Sequence, residues 1–316
     1  MKIGLLFPGQ GSQCLGMGKD LYEKYEEYRN VYNKVKDITG IDIAKISFEN
    51  EELLNKTKYT QLAILTMSLA ILEVLKVNKN IELNEEYLAG LSLGEYSALV
   101  RSGYISFEDG IKIVKSRGTL MQDMCPKGEW AMAAVMGLDE KTLNEICTNI
   151  AGFVKPANFN TFGQIVVSGD RKGIDELMIK AKENGAKRVI ELNTSGPFHT
   201  EKLNDAAREL RKELDNIEFK NPKGKVIKNL NGKAYTENDD FRDILQKHII
   251  SSVRFEDSIK NMLENGVDTF IEIGPGKTLT GFVKRINKDV NLLNVNDDQS
   301  LENLVSFISN GGKVNE

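Results

Sequence analysis

The sequence predicts an α/β protein: a parallel sheet covered by helices, with a smaller α/β unit inserted into it. Three observations carry this. Ile3–Phe7, an uninterrupted apolar run of the kind expected of a central parallel strand covered on both faces, and a further strand pattern at Thr269–Ile273 each end in a glycine-bearing loop. A third run, 87–90, leads into Gly90-Leu91-Ser92-Leu93-Gly94, a serine bracketed by glycines with a strand pattern before it and a helix pattern after it. Between Cys125 and Ser195 the rhythm changes to strand, helix, strand, strand, helix, strand, which is the ferredoxin-like order. The predicted class is therefore a large α/β-hydrolase-like domain with a parallel sheet, over 1–124 and 196–316, plus an inserted small ferredoxin-like domain over 125–195.

Composition sets the outer limits. With 316 residues, 41% hydrophobic and 28% charged, the chain is long enough for a large core and more than one domain. A net charge of −4 argues against a general nucleic-acid binder. Cys14, Cys125 and Cys147 are far apart and odd in number, so neither a disulfide framework nor a zinc site is expected, and a reducing cytoplasm fits. No signal-peptide layout precedes the first strand. The longest apolar stretch, 62–72, is too short to span a bilayer and reads as a buried helix, so no membrane association is expected.

Taken in order, the first strand ends in Pro8-Gly9-Gln10-Gly11-Ser12-Gln13. Ligands gather at this edge of open α/β sheets, although the loop lacks the Gly-Lys-Ser/Thr of a phosphate loop. A helix is expected over 21–36, where Tyr22, Tyr25, Tyr28, Tyr32 and Val35 recur at helical spacing and read as packing. Thr60 is placed to cap a second helix running to 75, apolar nearly all round. Then comes the serine turn. Its glycines leave room for a sharp bend that lifts the hydroxyl out of the sheet and aims a helix N-terminus at whatever the serine attacks.

The next helix is expected over 107–124, with Ser106 as cap and Asp109 as a weaker partner in a capping box. Projected at 100° per residue, Phe107, Ile111, Ile113, Val114, Leu120, Met121 and Met124 share a face, and Arg117 lands in its middle. An inward guanidinium needs an anionic partner, and a substrate carboxylate can fill that place through the planar two-pronged donor.

In the small unit, strands are expected at 131–135, 154–158, 164–168 and 187–192, with helices opened by Asp139 and Asp170. Beyond it, Gly196-Pro197 makes a turn, and His199 lies on a loop ahead of a helix that Thr200 can cap. The chain has two histidines. His248 lies on the apolar face of a helix and reads as packed; His199, on a loop, is the better-placed base for a serine. A strand at 226–230, a turn at Asn231-Gly232 and a helix over 254–265 follow. Thr269–Ile273 comes next with Gly274-Pro275-Gly276 at its end, then a helix to 286, a strand at 292–295 and a last helix over 301–309.

With these residues in view, the sequence resembles the malonyl-CoA:acyl carrier protein transacylases over essentially its whole length. The likeness rests on five motifs in order: Gly9-Gln10-Gly11-Ser12-Gln13, Gly90-Leu91-Ser92-Leu93-Gly94-Glu95, Arg117-Gly118 with Met121-Gln122, Phe198-His199, and Glu272-Ile273-Gly274-Pro275-Gly276. The resemblance implies Ser92 as nucleophile and His199 as its base. It implies an oxyanion hole from the backbone N–H groups of Gln10 and Leu93, and Arg117 on the malonyl carboxylate. The backbone carbonyl of His248, where relatives usually carry glutamine, would orient the catalytic imidazole. Phe198 resembles malonyl-selective members, and Asn160 and Gln164 match polar positions near the site. Leu91 departs from the family, which usually has histidine there. Malonyl-CoA and acyl carrier protein would be the partners, coenzyme A the product, with phosphopantetheine carried by the partner and no metal or tightly bound cofactor. The acidic carrier would dock on basic residues, with Arg188, Lys284 and Arg285 as candidates.

Other readings share parts of this pattern. A lipase-type esterase shares the serine turn but would normally use an acidic third member, for which the sequence offers no convincing position. A non-catalytic acyl-CoA-binding protein would not need both Ser92 and His199. A trans-acting polyketide acyltransferase would use the same chemistry.

Overall fold

The computed structural model describes residues 1–126, 128–194, 196–220 and 224–312. The expected domain boundary at 195 therefore lies outside the described residues. From β1 (Ile3–Phe7) the chain passes through α1 (Lys19–Lys24), α2 (Glu26–Thr39), α3 (Ile43–Glu49) and α4 (Glu51–Leu54). The single helix expected over 21–36 is thus two helices. Tyr25 breaks it with an extended backbone (φ −110°, ψ 126°), and its hydroxyl donates to Asp298 Oδ1 at 2.7 Å. Tertiary fastening of that ring outweighs local helix propensity.

Next comes α5 (Thr57–Glu73), continued by a single π turn at Val74–Asn78. It starts three residues before Thr60, whose hydroxyl donates back to the Lys56 carbonyl (3.1 Å) from inside the helix instead of capping it. At 22 residues, Thr57–Asn78 is long and apolar enough to cross a membrane, contrary to the estimate from 62–72. However, 83% of its apolar window is buried inside the protein.

β2 (Glu85–Gly90), the serine turn, α6 (Gly94–Ser102) and α7 (Phe107–Asp123) follow. Ser106 caps α7 by accepting from Asp109 N (3.0 Å). The Asp109 carboxylate accepts from the Ser106 hydroxyl (2.7 Å), so the box closes between side chains.

The insertion comprises β3 (Trp130–Met136), α8 (Glu140–Thr148), β4 (Val154–Thr161), β5 (Gln164–Asp170), α9 (Arg171–Glu183) and β6 (Arg188–Leu192). Asp139 and Asp170 cap its helices, each accepting a backbone N–H at 2.7 Å. After a 3₁₀ turn at Glu201–Leu203 come α10 (Asn204–Leu214), β7 (Lys225–Val226), α11 (Phe241–Ile250), α12 (Phe255–Glu264), β8 (Thr269–Ile273), α13 (Thr278–Ile286), β9 (Asn291–Val295) and α14 (Asp298–Ser309). The strand expected at 226–230 is shorter because the chain doubles back at Asn231-Gly232, bridging Ile227 to Ala234.

Two sheets result. One is parallel with order β7-β2-β1-β8-β9; the other is antiparallel with order β4-β5-β3-β6. Strand alternation sorts the small sheet's faces. Ala131, Ala133 and Val135 of β3 pack on Leu143 and Ile146 of α8 and on Ile174 and Leu177 of α9. Met132 and Ala134, one residue out of phase, belong to the large core and face the cavity between the sheets. Phe159 N to Val253 O and Val253 N to Ala157 O, both 2.8 Å, tie β4 to the segment between α11 and α12.

Candidate active site

The site forms at the carboxyl ends of β1 and β2, neighbours in the parallel sheet. Backbones cross closely there. A Cβ on Gly90 would overlap the Gly94 carbonyl, one on Gly94 would overlap the Phe7 carbonyl, and one on Gly9 would overlap the Leu91 carbonyl. Glycine is what lets the turn close. Ser92 sits at its apex with φ +52°, in the left-handed region that a side chain disfavours. Of the three non-glycine residues with positive φ among those described, Ser92 and His199 (φ +60°) are two. Strain of this kind gathers where a site holds side chains in fixed directions.

Ser92 Oγ lies 2.8 Å from His199 Nε2. On the other side of the ring, Nδ1 faces the carbonyl oxygens of His248 (3.0 Å) and Ser251 (3.1 Å). A carbonyl only accepts, so the proton sits on Nδ1 and Nε2 is left to accept from the serine. Burial pushes the His199 imidazole down to about 4, with the Arg117 cation adding to it. The His248 ring is fully buried, stacks on Tyr96 and is held neutral, well below its ordinary range, by burial and by Arg117. Its Nε2 lies 3.9 Å from Glu95 Oε2 and makes no hydrogen bond among the described residues.

Arg117 is fully buried, as its helix projection predicts. Nη1 donates to Gln61 Oε1 (2.6 Å) and Nη2 to Ser92 Oγ (3.0 Å), and the guanidinium lies 5.2 Å from the centre of the Tyr96 ring. Nε has no acceptor, and no carboxylate forms an ion pair with Arg117, among the described residues. Glu95, also buried, accepts from the Tyr235 hydroxyl (2.6 Å) and from Asn229 N (2.8 Å); burial raises its carboxyl to about 7.

These groups surround a cavity of about 230 Å³ lined by Gln10, Ser92, Leu93, Arg117, Phe198 and His199, with Asn160 and Gln164 on the small-sheet wall. The Gln10 and Leu93 N–H groups have no acceptor among the described residues. Asn160 Oδ1 is buried without a hydrogen bond among the described residues, while Gln164 Oε1 accepts from Arg285 (2.8 Å). The structure thus brings the candidate catalytic and substrate-binding residues to one cavity, His248 through its carbonyl. Arg188, Lys284 and Arg285 are exposed.

Sequence reasoning missed Gln61, Ser251, Tyr235 and Asn229. Gln61 carried a signal, as one of few polar residues in the apolar helix pattern. Asn229 carried none, because its side chain bonds to sequence positions more than a hundred residues away.

Known proteins resemble this chain over nearly its whole length. The model of the acyl transferase domain matches residues 5–312. A Bacillus subtilis protein named malonyl CoA-acyl carrier protein transacylase is 42% identical over 305 residues, 95% of each chain. The crystal structure of the transacylase of that name from Clostridium perfringens superimposes with a TM-score of 0.92 at 43% identity over 98% of both chains. A complex of a type II polyketide acyl-carrier protein with its malonyl-transacylase matches at 36% identity and a TM-score of 0.92, covering 97% of this chain and 99% of that one. Identity of this size over nearly the full length points to one family, and the chain belongs to the malonyl CoA-acyl carrier protein transacylases.

Proposed function

We propose that the chain transfers a malonyl group from malonyl-CoA to the phosphopantetheine thiol of acyl carrier protein through an ester on Ser92, supplying fatty acid synthesis. The observation that carries this reading is Arg117. A buried guanidinium beside the serine hydroxyl, with no ion pair among the described residues, suits a substrate that brings its own carboxylate. Its Ser92 hydrogen bond and free Nε supply the donors.

His199 Nε2 takes the Ser92 proton as Oγ attacks the thioester carbonyl. The oxyanion meets the Gln10 and Leu93 N–H groups, a type of contact worth roughly 2.7–4 kcal/mol per donor removed. The carbon–sulfur bond breaks, and coenzyme A leaves with the proton from His199. The malonyl ester stays on Ser92 with its carboxylate on Arg117. The carrier's thiol then gives its proton to His199 and attacks the ester, and Ser92 recovers the proton as it is expelled. The kinetics are ping-pong. The His248 carbonyl holds the imidazole, and Phe198, Asn160 and Gln164 shape the acyl pocket. In this reading no metal or bound cofactor takes part.

The fold reading behind it takes 1–124 and 196–316 as the large domain, hydrolase-like at its serine turn, and 125–195 as the ferredoxin-like insertion. The β4-β5-β3-β6 order with two helices on one face supports the latter. Arg188, Lys284 and Arg285 are offered as contacts for the acidic carrier, in a cytoplasmic setting. The relationship to the polyketide complex favours a second reading, in which the carrier belongs to a polyketide pathway.

The test is intact mass after mixing with malonyl-CoA and again after adding phosphopantetheinylated carrier, with Ser92→Ala alongside. A malonyl adduct that needs Ser92 and moves to the carrier is expected. An adduct lost to water with or without carrier would overturn transfer in favour of hydrolysis. Comparing fatty acid and polyketide carriers separates the two pathways.

A further inference from the structure

The geometry points to Asn229 as the residue that positions the nucleophile, by clamping both peptide units that flank Leu91. Asn229 is fully buried between β7 and the turn at Asn231-Gly232. Its Oδ1 accepts from Ser92 N (2.7 Å), and its Nδ2 donates to the Gly90 carbonyl (2.7 Å). Its own backbone is fixed at both ends. The N–H donates to Glu95 Oε2 (2.8 Å), and the carbonyl accepts from Arg254 N (2.8 Å). Glu95 lies in the first turn of α6 and is held in turn by Tyr235. One residue therefore links the strand before the serine, the serine and the helix after it.

The strain at Ser92 makes this link matter. A residue with a side chain stays at φ +52° only where its surroundings over-determine it. The neighbouring backbone bonds of the turn, Leu91 N to Phe7 O and Gly94 N to Leu91 O (both 3.0 Å) and Glu95 N to Ser92 O (3.1 Å), do not touch the Ser92 N–H. Leu91 offers no polar side chain of its own. A neutral carboxamide supplies a donor and an acceptor side by side at every pH; an ionised carboxylate would set a lone pair against the Gly90 carbonyl. Without the clamp, Ser92 relaxes toward negative φ. Oγ then leaves His199 Nε2, and the Leu93 N–H is re-aimed. Malonyl binding should survive, because Arg117 stands on α7 and makes no bond to Asn229 among the described residues.

This inference rests on Ser92 being the acylated residue. The experiment is single-turnover acylation of the full chain by malonyl-CoA, read by intact mass over a range of concentrations, for wild type, Asn229→Ala and Asn229→Asp. In Asn229→Ala the maximal acylation rate should fall roughly 100-fold, with the half-saturating concentration changed less than about threefold. Asn229→Asp should be slow near about pH 8 and recover relative to wild type toward about pH 5, because a protonated carboxyl again donates to Gly90. The titratable groups facing the position are Glu95 and Tyr235, with Arg117, Lys228 and His248 around Glu95. All five remain in the variant, so each rate is taken as a ratio to wild type. A wild-type rate in Asn229→Ala, a loss confined to half-saturation, or an Asp-variant ratio flat with pH would overturn the inference. If Asn229→Ala does not fold, the aspartate variant decides alone. No adduct on the wild-type chain would overturn the acyl-serine reading itself, and this inference with it.

Discussion

Arg117 acts on two partners at once. Its cation is the proposed partner of the substrate carboxylate and also helps to keep the His199 imidazole neutral. In the proposed reaction a malonyl carboxylate on Arg117 would cancel much of that charge, so substrate binding itself would make His199 a stronger base. Arg117→Ala should therefore lower malonyl transfer at least ~100-fold while changing acetyl transfer far less; equal losses would refute the specificity role. Measured with acetyl-CoA, the acid limb of kcat/KM should lie near 4 in the wild type and move up in the variant, because a charge that opposes the imidazolium is gone. Glu95 behaves in the opposite sense. Its carboxyl is raised from 4.5 to about 7, so between those values the folded chain binds more protons than the unfolded one. Its contribution to stability is full below the lower value and is lost as pH rises through the higher, by on the order of 3 kcal/mol. The melting-temperature advantage of wild type over Glu95→Gln should therefore shrink from about pH 4 to pH 8; a constant or growing advantage would contradict a raised carboxyl.

Among the elements, the serine turn depends on where backbones touch. Gly94→Ala would drive a methyl into the Phe7 and Pro8 carbonyls, which are main-chain atoms with nowhere to go. A loss of about 3 kcal/mol, or a turn that no longer presents Ser92, is expected. Gly103→Ala makes a fair control: φ is +82° and nothing lies within 4 Å, so backbone strain alone should cost ~1 kcal/mol. Urea unfolding of the two variants checks the ranking. The turn was legible in the sequence because steric exclusion leaves a short local pattern. So were the caps Ser106, Asp139 and Asp170, each bonding three residues ahead. The break at Tyr25 was not legible, since its cause, Asp298, lies at the other end of the chain.

For the molecule as a whole, the cavity exists because the small sheet turns one face to its own helices and the other to the large unit. That alternation can be tested within one strand. Ala134→Phe should fill the acyl pocket and lower kcat/KM for malonyl-CoA at least ~10-fold with little change in melting temperature. Ala133→Phe, on the opposite face, should overpack the small core and cost ~1–3 kcal/mol. If both variants lost stability alike, the division of faces would be wrong.

Sequence by itself determined the α/β class of fold, the glycine turn that carries Ser92, the inward direction of Arg117 and the placing of His199 on a loop and His248 on a buried helix face. Each follows from local sterics or from a periodicity that repeats every few residues. Tertiary structure alone decided which groups hold these residues in place. The His199 proton is fixed by two carbonyls about fifty residues on. Gln61 orients Arg117 from across a helix pair, and Asn229 grips the serine turn from 137 residues away. Hydrogen bonds between positions so distant leave no periodic trace along the chain, because they depend only on where folding brings the partners.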